Sequence, residues 1–344
     1  MASVRNKRLW IIGSVAAVAV VAIFIGAFIG RTKTGVSGTA ANNNLITITT
    51  YTRKDCTSTP ILVADEKGFF AAQGLQIKFT GELKQPQILP SVLNGNNDFA
   101  EAHPNALAMY IAGGATIKGV ARSIIEPPAS VNPKYRHMWY FVKPGSPIKS
   151  WSDLKNYKVG QQITINGIAP SCESFIPSVI FDKYGIGRKR IKLVTFDTDQ
   201  EALQALEQGS IDIAQVHPPF YKMATDSGLV RIGDSSDSGL GEAAGLYLYY
   251  FTDSFINQHP DIVQKFVNAV TQAQIWANAH PVEASAITSK GIGVTATGTH
   301  YYSENTVIPE AQVALWVNDL VKNGFLKPGQ VTMADMITHR FEVH

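Results

Sequence analysis

A strand–helix–strand pattern between residues 45 and 79 constrains the fold of this chain more than any other feature. Alternating apolar and polar residues predict strands over 45–51 (LITITTY) and 75–79 (LQIKF), and the segment between them has apolar residues at helical spacing. Thr59 is a favoured N-cap residue, Pro60 suits the first helical position, and Gly74 permits the left-handed conformation that ends a helix. This order predicts two parallel strands joined by a crossover helix.

The same alternation of strand and helix continues in two series of segments. In the first series, helices predicted over 86–93 and 104–111 accompany short strands at 98–100 and 117–121. The second series contains strands predicted over 158–163, 191–195, 211–216 and 229–232. Short connections between alternating strands and helices predict parallel sheets with crossover helices.

Two segments connect the two series. Strand 137–142 leads out of the first series, and the aromatic strand 246–251 leads back. Two crossings predict an α/β fold with two lobes, lobe 1 from residues 45–142 and 246–344 and lobe 2 from residues 143–245. Because open parallel sheets bind ligands outside the carboxyl ends of their strands, we expect a ligand in the cleft between the lobes. Hinge bending at the crossings would close that cleft.

The N-terminus predicts attachment to a membrane. Residues 9–30 carry no charge and are long enough to form a transmembrane helix, and basic residues precede them. This charge bias predicts residues 1–8 in the cytoplasm, a polar tether over 31–44 and the folded body outside the cell membrane. A cleaved signal peptide is the alternative, which would leave the body secreted or periplasmic. It is less favoured because the apolar run is longer than usual for a signal peptide.

The net charge of +3 and the absence of a basic helix argue against nucleic-acid binding. The chain contains two cysteines, Cys56 and Cys172, which an exported protein can pair. A disulfide between them would cross the predicted cleft and lock it shut. Free thiols are therefore the favoured interpretation.

Two His-Pro dipeptides, at His103 and His217, each follow a short predicted strand and open a helix, which places one imidazole per lobe at the cleft. Hydroxyl-rich helix N-termini at 57–59 and 171–174 suit an anionic group. Glu101 and Glu173 would repel a simple anion and suit an amine or a ring nitrogen. The predicted ligand-binding residues are Cys56, Thr57, Ser58, Thr59, Glu101, His103, Ser171, Cys172, Glu173, His217 and Phe220.

Imidazole, thiol and carboxylate side chains at one sheet edge can also bind a transition metal. No pair of them has the short spacing, such as CxxC or HxxxH, that characterises many metal sites, so the sequence predicts no metal site and no cofactor. A nucleophilic Cys–His pair would need an orienting third group and an oxyanion hole. The sequence identifies neither of these, so no catalytic residue is predicted and the protein is not expected to be an enzyme.

Five stretches, in this order, carry a family likeness: PILVADEKGFFAAQGLQIKF, LNGNNDFAEAHPNALAMYIAGG, IKSWSDLKNYKVG, EALQALEQGSIDIAQVHPPF and FTDSFINQHPDIVQKFVNAVTQAQIWAN. In them the chain resembles the solute-binding proteins of ABC importers, in the nitrate/sulfonate/taurine group that also contains the thiamine-pyrimidine-synthase-like proteins. The resemblance implies a two-lobed periplasmic-binding-protein fold of type II. It also implies a monomer that binds a small molecule and docks on an ABC permease and its ATPase. Segments 124–136 and 161–173 depart from the family pattern.

The sequence therefore predicts the extracytoplasmic solute-binding component of an ABC importer. Its ligand would be a small polar molecule that is sulfonate- or taurine-like, nitrate-like or pyrimidine-like. The alternatives are a pyrimidine-synthase-like enzyme of the same fold, which would need a cysteine cluster that this chain lacks, and a metal-capturing binding protein. A sensory ectodomain is disfavoured because residues 1–8 are too few for an output domain.

Overall fold

The computed structural model describes residues 45–343. The first part of the chain alternates strands and helices and contains β1 (Ile46–Thr52), α1 (Thr59–Glu66), α2 (Phe69–Ala72), β2 (Leu75–Glu82), α3 (Gln85–Leu93), β3 (Phe99–Ala102), α4 (Pro104–Ala112) and β4 (Ile117–Arg122). The middle part contains β5 (Trp139–Val142), β6 (Ile163–Asn166), α5 (Cys172–Lys183), β7 (Ile191–Val194), α6 (Asp199–Gln208), β8 (Ala214–Val216), α7 (Tyr221–Asp226) and β9 (Val230–Asp234). The last part is mostly helical, with β10 (Leu248–Thr252), α8 (Asp253–Gln258), α9 (Pro260–Ala279), α10 (Pro281–Ile292), α11 (Glu310–Lys322) and α12 (Met333–Met336).

The strand–helix–strand unit at the start of the body is confirmed. β1 and β2 pair in parallel, with Ile46 opposite Leu75. The helix between them begins one residue earlier than predicted, at Thr59, with Ser58 at the N-cap position. It is also divided into α1 and α2, because Gly68 adopts a left-handed conformation with a φ of 75°. A second parallel pair joins β6 to β7, with Ile163 opposite Ile191.

The strands that connect the two series differ from the prediction of parallel sheets. β10 lies between β3 and β4 and runs antiparallel to both, and β5 lies in the same way between β8 and β9. The parallel arrangement follows from a helical crossover within one sheet. The chain reaches β5 from the first series and β10 from the second, without a helical crossover inside the same sheet. These two strands are therefore antiparallel to their neighbours. The division into lobes stays a prediction, and the pairing of β5 with β8 and β9 favours a boundary before Trp139.

Aromatic side chains fill the core on both sides of the crossings. Phe70, Phe99 and Phe266 pack together with the faces of α1 and α9. Trp316 of the late helix α11 packs instead against Phe175 of α5, with ring centroids 4.3 Å apart. Residues of the last part of the chain therefore lie next to residues of α5, in the middle part.

The predictions for residues 1–8, 9–30 and 31–44 fall outside the described residues. Within residues 45–343, no helix is both long enough and apolar enough to span a membrane.

Candidate functional site

The predicted ligand-binding residues lie at or after the carboxyl ends of four strands, β1, β3, β6 and β8, as the cleft hypothesis requires. The structure brings one residue after each of β3, β6 and β8 into one cluster, namely His103, Cys172 and His217. Cys172 Sγ lies 3.7 Å from His217 Nε2. The ligand atoms of Cys172, His103 and His137 all lie within 4.8 Å of one another. Side chains from distant parts of the sequence therefore share one site.

His103 is held in one orientation by two contacts. Its Nδ1 lies 2.8 Å from the carbonyl oxygen of Leu246, which accepts a hydrogen bond, so Nδ1 carries the proton and Nε2 keeps its lone pair. Its ring stacks on the indole of Trp316, with centroids 5.0 Å apart and an angle of 13°. Burial lowers the pKa of His103 to about 3. The imidazole is therefore neutral at physiological pH.

His217 is paired with a carboxylate. One oxygen of Asp199 accepts hydrogen bonds from the backbone N–H of His217 at 2.8 Å and from its Nδ1 at 2.9 Å. Burial alone would lower the pKa of His217, but the Asp199 carboxylate raises it well above its ordinary value. The Nε2 atom therefore faces Cys172, while Nδ1 is fixed by Asp199.

Two further histidines that the sequence did not single out complete the cluster. His137 and His300 are each 2% exposed, and their rings stack with centroids 4.8 Å apart. The ring of His137 also makes edge contacts with His103 at 5.5 Å and with His217 at 5.4 Å. Among the described residues, no hydrogen-bond partner reaches any ring nitrogen of His137 or His300. Burial lowers the pKa of both, so both rings are neutral.

A second polar group lies after β1, around Arg53. The Arg53 guanidinium forms an ion pair with Asp55 at 2.8 Å and donates a hydrogen bond to the hydroxyl of Tyr247 at 2.7 Å. Tyr247 in turn makes an edge contact with the ring of His103, at a centroid distance of 4.4 Å. Tyr247 therefore connects Arg53 to the histidine cluster.

Glu101 differs from the state that the sequence analysis assumed. It is 8% exposed, and its Oε1 has no hydrogen-bond partner among residues 45–343. Burial raises its pKa to about 8, against the lowering effect of Arg53. The carboxyl group is therefore mostly protonated at neutral pH. The expectation that it repels an anion is wrong, because that repulsion requires an ionised carboxylate.

The hydroxyl groups predicted to receive an anion are engaged within the protein. Thr57 donates to Asp55, Ser58 donates to the carbonyl of Arg53, and Thr59 shares a 2.7 Å hydrogen bond with Thr288. At the start of α5, the hydroxyl of Ser171 accepts a hydrogen bond from the backbone N–H of Glu173, at 3.1 Å. These residues shape the two helix N-termini, and their part in ligand binding stays a prediction.

The remaining predicted residues lie close to the cluster or in the core. The Glu173 carboxylate accepts a hydrogen bond from the backbone N–H of Ile168 at 2.9 Å, and burial raises its pKa. Phe220 packs with core residues and is 7% exposed. Cys56 is fully buried. Within residues 45–343, which include both cysteines, Cys56 and Cys172 are free thiols, so this expectation is confirmed.

A family model named NMT1/THI5 like matches residues 55–284, which is more than half of the 344-residue chain. The chain belongs to the NMT1/THI5-like family. The resemblance found in the sequence is therefore confirmed. No curated protein matches the chain by sequence.

Solved structures with low sequence identity share the fold of this NMT1/THI5-like protein. The periplasmic aliphatic sulphonate binding protein SsuA from Escherichia coli is 18% identical, with a TM-score of 0.65 over 86% of this chain and 92% of that one. A ligand-binding component of an ABC-type import system from Staphylococcus aureus, solved with zinc bound, is 13% identical, with a TM-score of 0.67 over 86% and 97%. The desulfurization enzyme DszB is 15% identical, with a TM-score of 0.58 over 86% and 97%. The fold is the mixed α/β fold of periplasmic binding proteins.

In this NMT1/THI5-like protein, Cys172, His217 and Asp199 also form a line of contacts in which Asp199 orients the histidine. The sequence analysis did not identify this orienting group. Two observations argue against a nucleophilic thiolate. Burial raises the pKa of the Cys172 thiol, whereas reactive cysteines have a lowered pKa. The backbone N–H of Glu173, next to the thiol, already donates to Ser171 and is not free to stabilise an oxyanion.

Sequence reasoning missed His137, His300 and Asp199 for different reasons. His137 stands directly before the crossing strand β5, and crossing strands begin at the cleft, so its position was an available signal. Asp199 opens helix α6, where an acidic residue is common for local reasons alone. His300 lies between α10 and α11 and has no strand or motif beside it.

Proposed function

We propose that this NMT1/THI5-like protein is the extracytoplasmic solute-binding component of an ABC importer. The observation that carries the proposal is the convergence of polar side chains at the carboxyl ends of β3, β6 and β8. Contacts such as the 3.0 Å hydrogen bond from Asn105 to the carbonyl of Ser171 join the element after β3 to the element after β6. A solute at this edge would contact both parts and favour their closed arrangement, since a ligand stabilises the state that it binds more tightly.

Arg53, after β1, and Glu101, in β3, favour a ligand with an anionic group. Glu101 is mostly neutral, so it can donate a hydrogen bond rather than repel an anion. Arg53, which follows β1, carries a permanent positive charge. We therefore place a sulfonate- or taurine-like molecule first, ahead of nitrate-like and pyrimidine-like ligands. The E. coli relative of the same fold is named for binding aliphatic sulphonates.

The remaining parts of the proposal concern partners and location. We infer that the closed, loaded protein docks as a monomer on an ABC permease, whose ATPase drives transport. The uncharged segment 9–30 would keep the body at the outer face of the cell membrane. A tethered binding protein stays near its permease, and this raises its effective concentration there.

A thermal-shift screen of the full 344-residue chain tests the ligand. The panel contains alkanesulfonates, taurine, nitrate and pyrimidines. A ligand at 100 times its dissociation constant adds about 2.7 kcal/mol to the free energy of unfolding, which raises the melting temperature by a few degrees. We expect alkanesulfonates or taurine to give such a shift. If no panel member shifts the transition, the solute-binding proposal in this form is wrong.

A pair of variants locates the ligand. Arg53→Gln removes a cation beside the cluster, and we expect it to abolish the ligand-induced shift. Lys54→Ala is the matched control, because Lys54 is exposed and pairs with the exposed Glu82 at 2.7 Å. The control should keep the full shift. An equal shift in both variants would place the ligand elsewhere on the protein.

A further inference from the structure

The solute-binding proposal leaves the most unusual feature of the site unexplained. Four imidazoles meet in one cluster beside a thiol, the buried rings of His103, His137 and His300 and the half-buried ring of His217. An imidazole that is buried without a hydrogen-bond partner costs free energy, and His137 and His300 both pay this penalty within the described part of the chain. Two adjacent rings without partners suggest that the cluster binds a second species in addition to the proposed solute.

We propose that His103, His137, Cys172 and His217 bind one divalent transition metal ion of the zinc class. This inference goes beyond the proposed function, because the metal site stands whether or not the protein also carries an organic solute. Nitrogen and sulfur donors in this ratio are those that zinc prefers, and they disfavour magnesium and calcium, which take oxygen ligands.

The distances fit a tetrahedral ion. With zinc–nitrogen bonds of about 2.0–2.1 Å and a zinc–sulfur bond of about 2.3 Å, neighbouring ligand atoms lie roughly 3.3–3.6 Å apart. The Cys172 Sγ to His217 Nε2 distance of 3.7 Å already matches such an edge. The ligand atoms of His103, His137 and Cys172 lie within 4.8 Å of one another and would have to move closer together to reach it.

Ring positions agree with the same geometry. Two imidazoles on one tetrahedral zinc ion have ring centroids roughly 5 Å apart, given the zinc–nitrogen bond length. The rings of His103 and His137 have centroids 5.5 Å apart, and those of His137 and His217 are 5.4 Å apart. The interplanar angles of 83° and 76° turn the rings edge to face, so these two pairs of rings do not stack.

Outer contacts hold two of the ligands in the required orientation. Metal-binding histidines usually donate their second ring N–H to a carbonyl or carboxylate oxygen. Nδ1 of His103 donates to the carbonyl of Leu246, and Nδ1 of His217 donates to Asp199. Both Nε2 atoms are therefore left for the metal, and His217 would release its Nε2 proton when the ion binds. His300 packs face to face on His137 and positions that ring.

The acidic residues of α5 and α6 next to His217 suit a cation, in contrast to Arg53, which follows β1. Glu173 and Asp199 place carboxylate oxygens within 4.8 Å of a His217 nitrogen. Cys172 would bind as a thiolate and lose its proton to solvent when the metal enters. The thiolate and the neighbouring acidic side chains would balance the two positive charges of the ion, which a buried site requires.

Equilibrium dialysis of the full chain against Zn²⁺ tests the proposal. We expect one equivalent to bind, and excess Mg²⁺ should not displace it. Cys172→Ser and His137→Ala each remove a proposed ligand and should weaken binding at least 100-fold. Cys56→Ser and His280→Ala are the matched controls, because Cys56 is a buried thiol outside the four ligands and His280 is an exposed histidine. Both controls should bind like the unmodified protein.

Cobalt substitution gives a spectroscopic readout from the unmodified chain, without any variant. Co²⁺ bound by a thiolate has an intense near-ultraviolet charge-transfer band, and a tetrahedral site gives strong visible bands. We expect both from the unmodified chain, with loss of the charge-transfer band in Cys172→Ser alone among the cysteine variants. A spectrum without that band, or Zn²⁺ binding that Cys172→Ser and His137→Ala leave unchanged, would overturn the proposal. Arg53→Gln should retain Zn²⁺, so failure of the metal site and failure of solute binding are distinguishable.

Discussion

Cys172 and His217 are in contact, Sγ to Nε2 at 3.7 Å, although 45 residues separate them in the sequence. Cys172 opens helix α5, which follows β6, and His217 directly follows β8. The contact exists because Ile165 of β6 and Ile213, just before β8, form a parallel bridge, which brings the carboxyl ends of both strands together. Asp199, at the start of α6, then fixes the far side of the imidazole.

The Asp199 carboxylate should matter for metal affinity even though it is not one of the four proposed ligands. Asp199→Asn keeps the size of the side chain but removes the charge that orients and polarises His217. We expect Zn²⁺ affinity to fall by about 10–100-fold, the usual effect of changing an outer contact of a metal ligand. Equilibrium dialysis measures the change. Asp197→Asn is the control, since Asp197 is exposed and pairs only weakly with Lys84 at 3.4 Å; equal losses in both variants would contradict this role.

The segment over 124–136, which departs from the family pattern, depends on one buried carboxyl group. Glu126 is 2% exposed and accepts hydrogen bonds from the backbone N–H of His137 at 3.0 Å and from the hydroxyl of Ser235 at 2.5 Å. Glu126→Ala leaves these buried donors without a partner. We expect the free energy of unfolding to fall by about 3 kcal/mol, measured by urea denaturation.

Glu207→Ala is the comparison for this change, because Glu207 is exposed on α6. We expect it to alter the free energy of unfolding by less than about 0.5 kcal/mol. If Glu126→Ala is equally mild, then Glu126 does not hold the segment in place.

Sequence patterns predicted the local parts of the fold well. The unit β1–α1–β2 follows from alternation, an N-terminal proline and a glycine stop, all of which act over a few residues. The antiparallel direction of β5 and β10 was missed because it depends on where the chain comes from, and no local pattern records this. The same distinction applies to the site, where residues near strand ends could be predicted and residues placed by long-range packing could not. His103, Cys172 and His217 stand at strand ends and were identified, whereas His300 reaches the cluster only through the packing of the C-terminal part.

Asp212 should make the stability of the protein depend on pH. Burial tends to raise its pKa, but hydrogen bonds from Lys158 at 2.7 Å, Thr164 and Tyr157 outweigh this effect and lower it below its ordinary value. A lowered pKa in the folded state stabilises the protein above the pKa of the unfolded state, and this stabilisation is lost as the pH falls through the folded pKa. We therefore expect Asp212→Asn to cost about 1–3 kcal/mol at pH 7 and almost nothing below the folded pKa.

Urea denaturation at several pH values measures this difference. Asp226→Asn is the control, since Asp226 and Lys222 form an exposed pair at 2.7 Å that should contribute less than about 1 kcal/mol at any pH. A cost for Asp212→Asn that does not change with pH would show that its charge is not responsible.

Gly245 connects the crossing strand to the histidine cluster. A Cβ atom at this position would stand 2.5 Å from the backbone nitrogen of Glu126 and 2.5 Å from the carbonyl carbon of Ile125, so a side chain requires the backbone to move. The next residue is Leu246, whose carbonyl oxygen accepts the hydrogen bond from His103. Gly245→Ala should therefore lower the free energy of unfolding by about 3 kcal/mol or more and weaken Zn²⁺ binding as well.

Gly113→Ala provides the matched comparison for this change. Gly113 has a φ of −81°, and its nearest neighbours would be carbonyl oxygens 3.4 Å from the new Cβ, which is an ordinary contact. We expect its free energy of unfolding to change by less than about 1 kcal/mol, with unchanged Zn²⁺ binding. Urea denaturation and dialysis on the same preparations separate the two effects. If Gly245→Ala destabilises the fold but leaves Zn²⁺ affinity intact, the carbonyl of Leu246 does not position His103 for the metal.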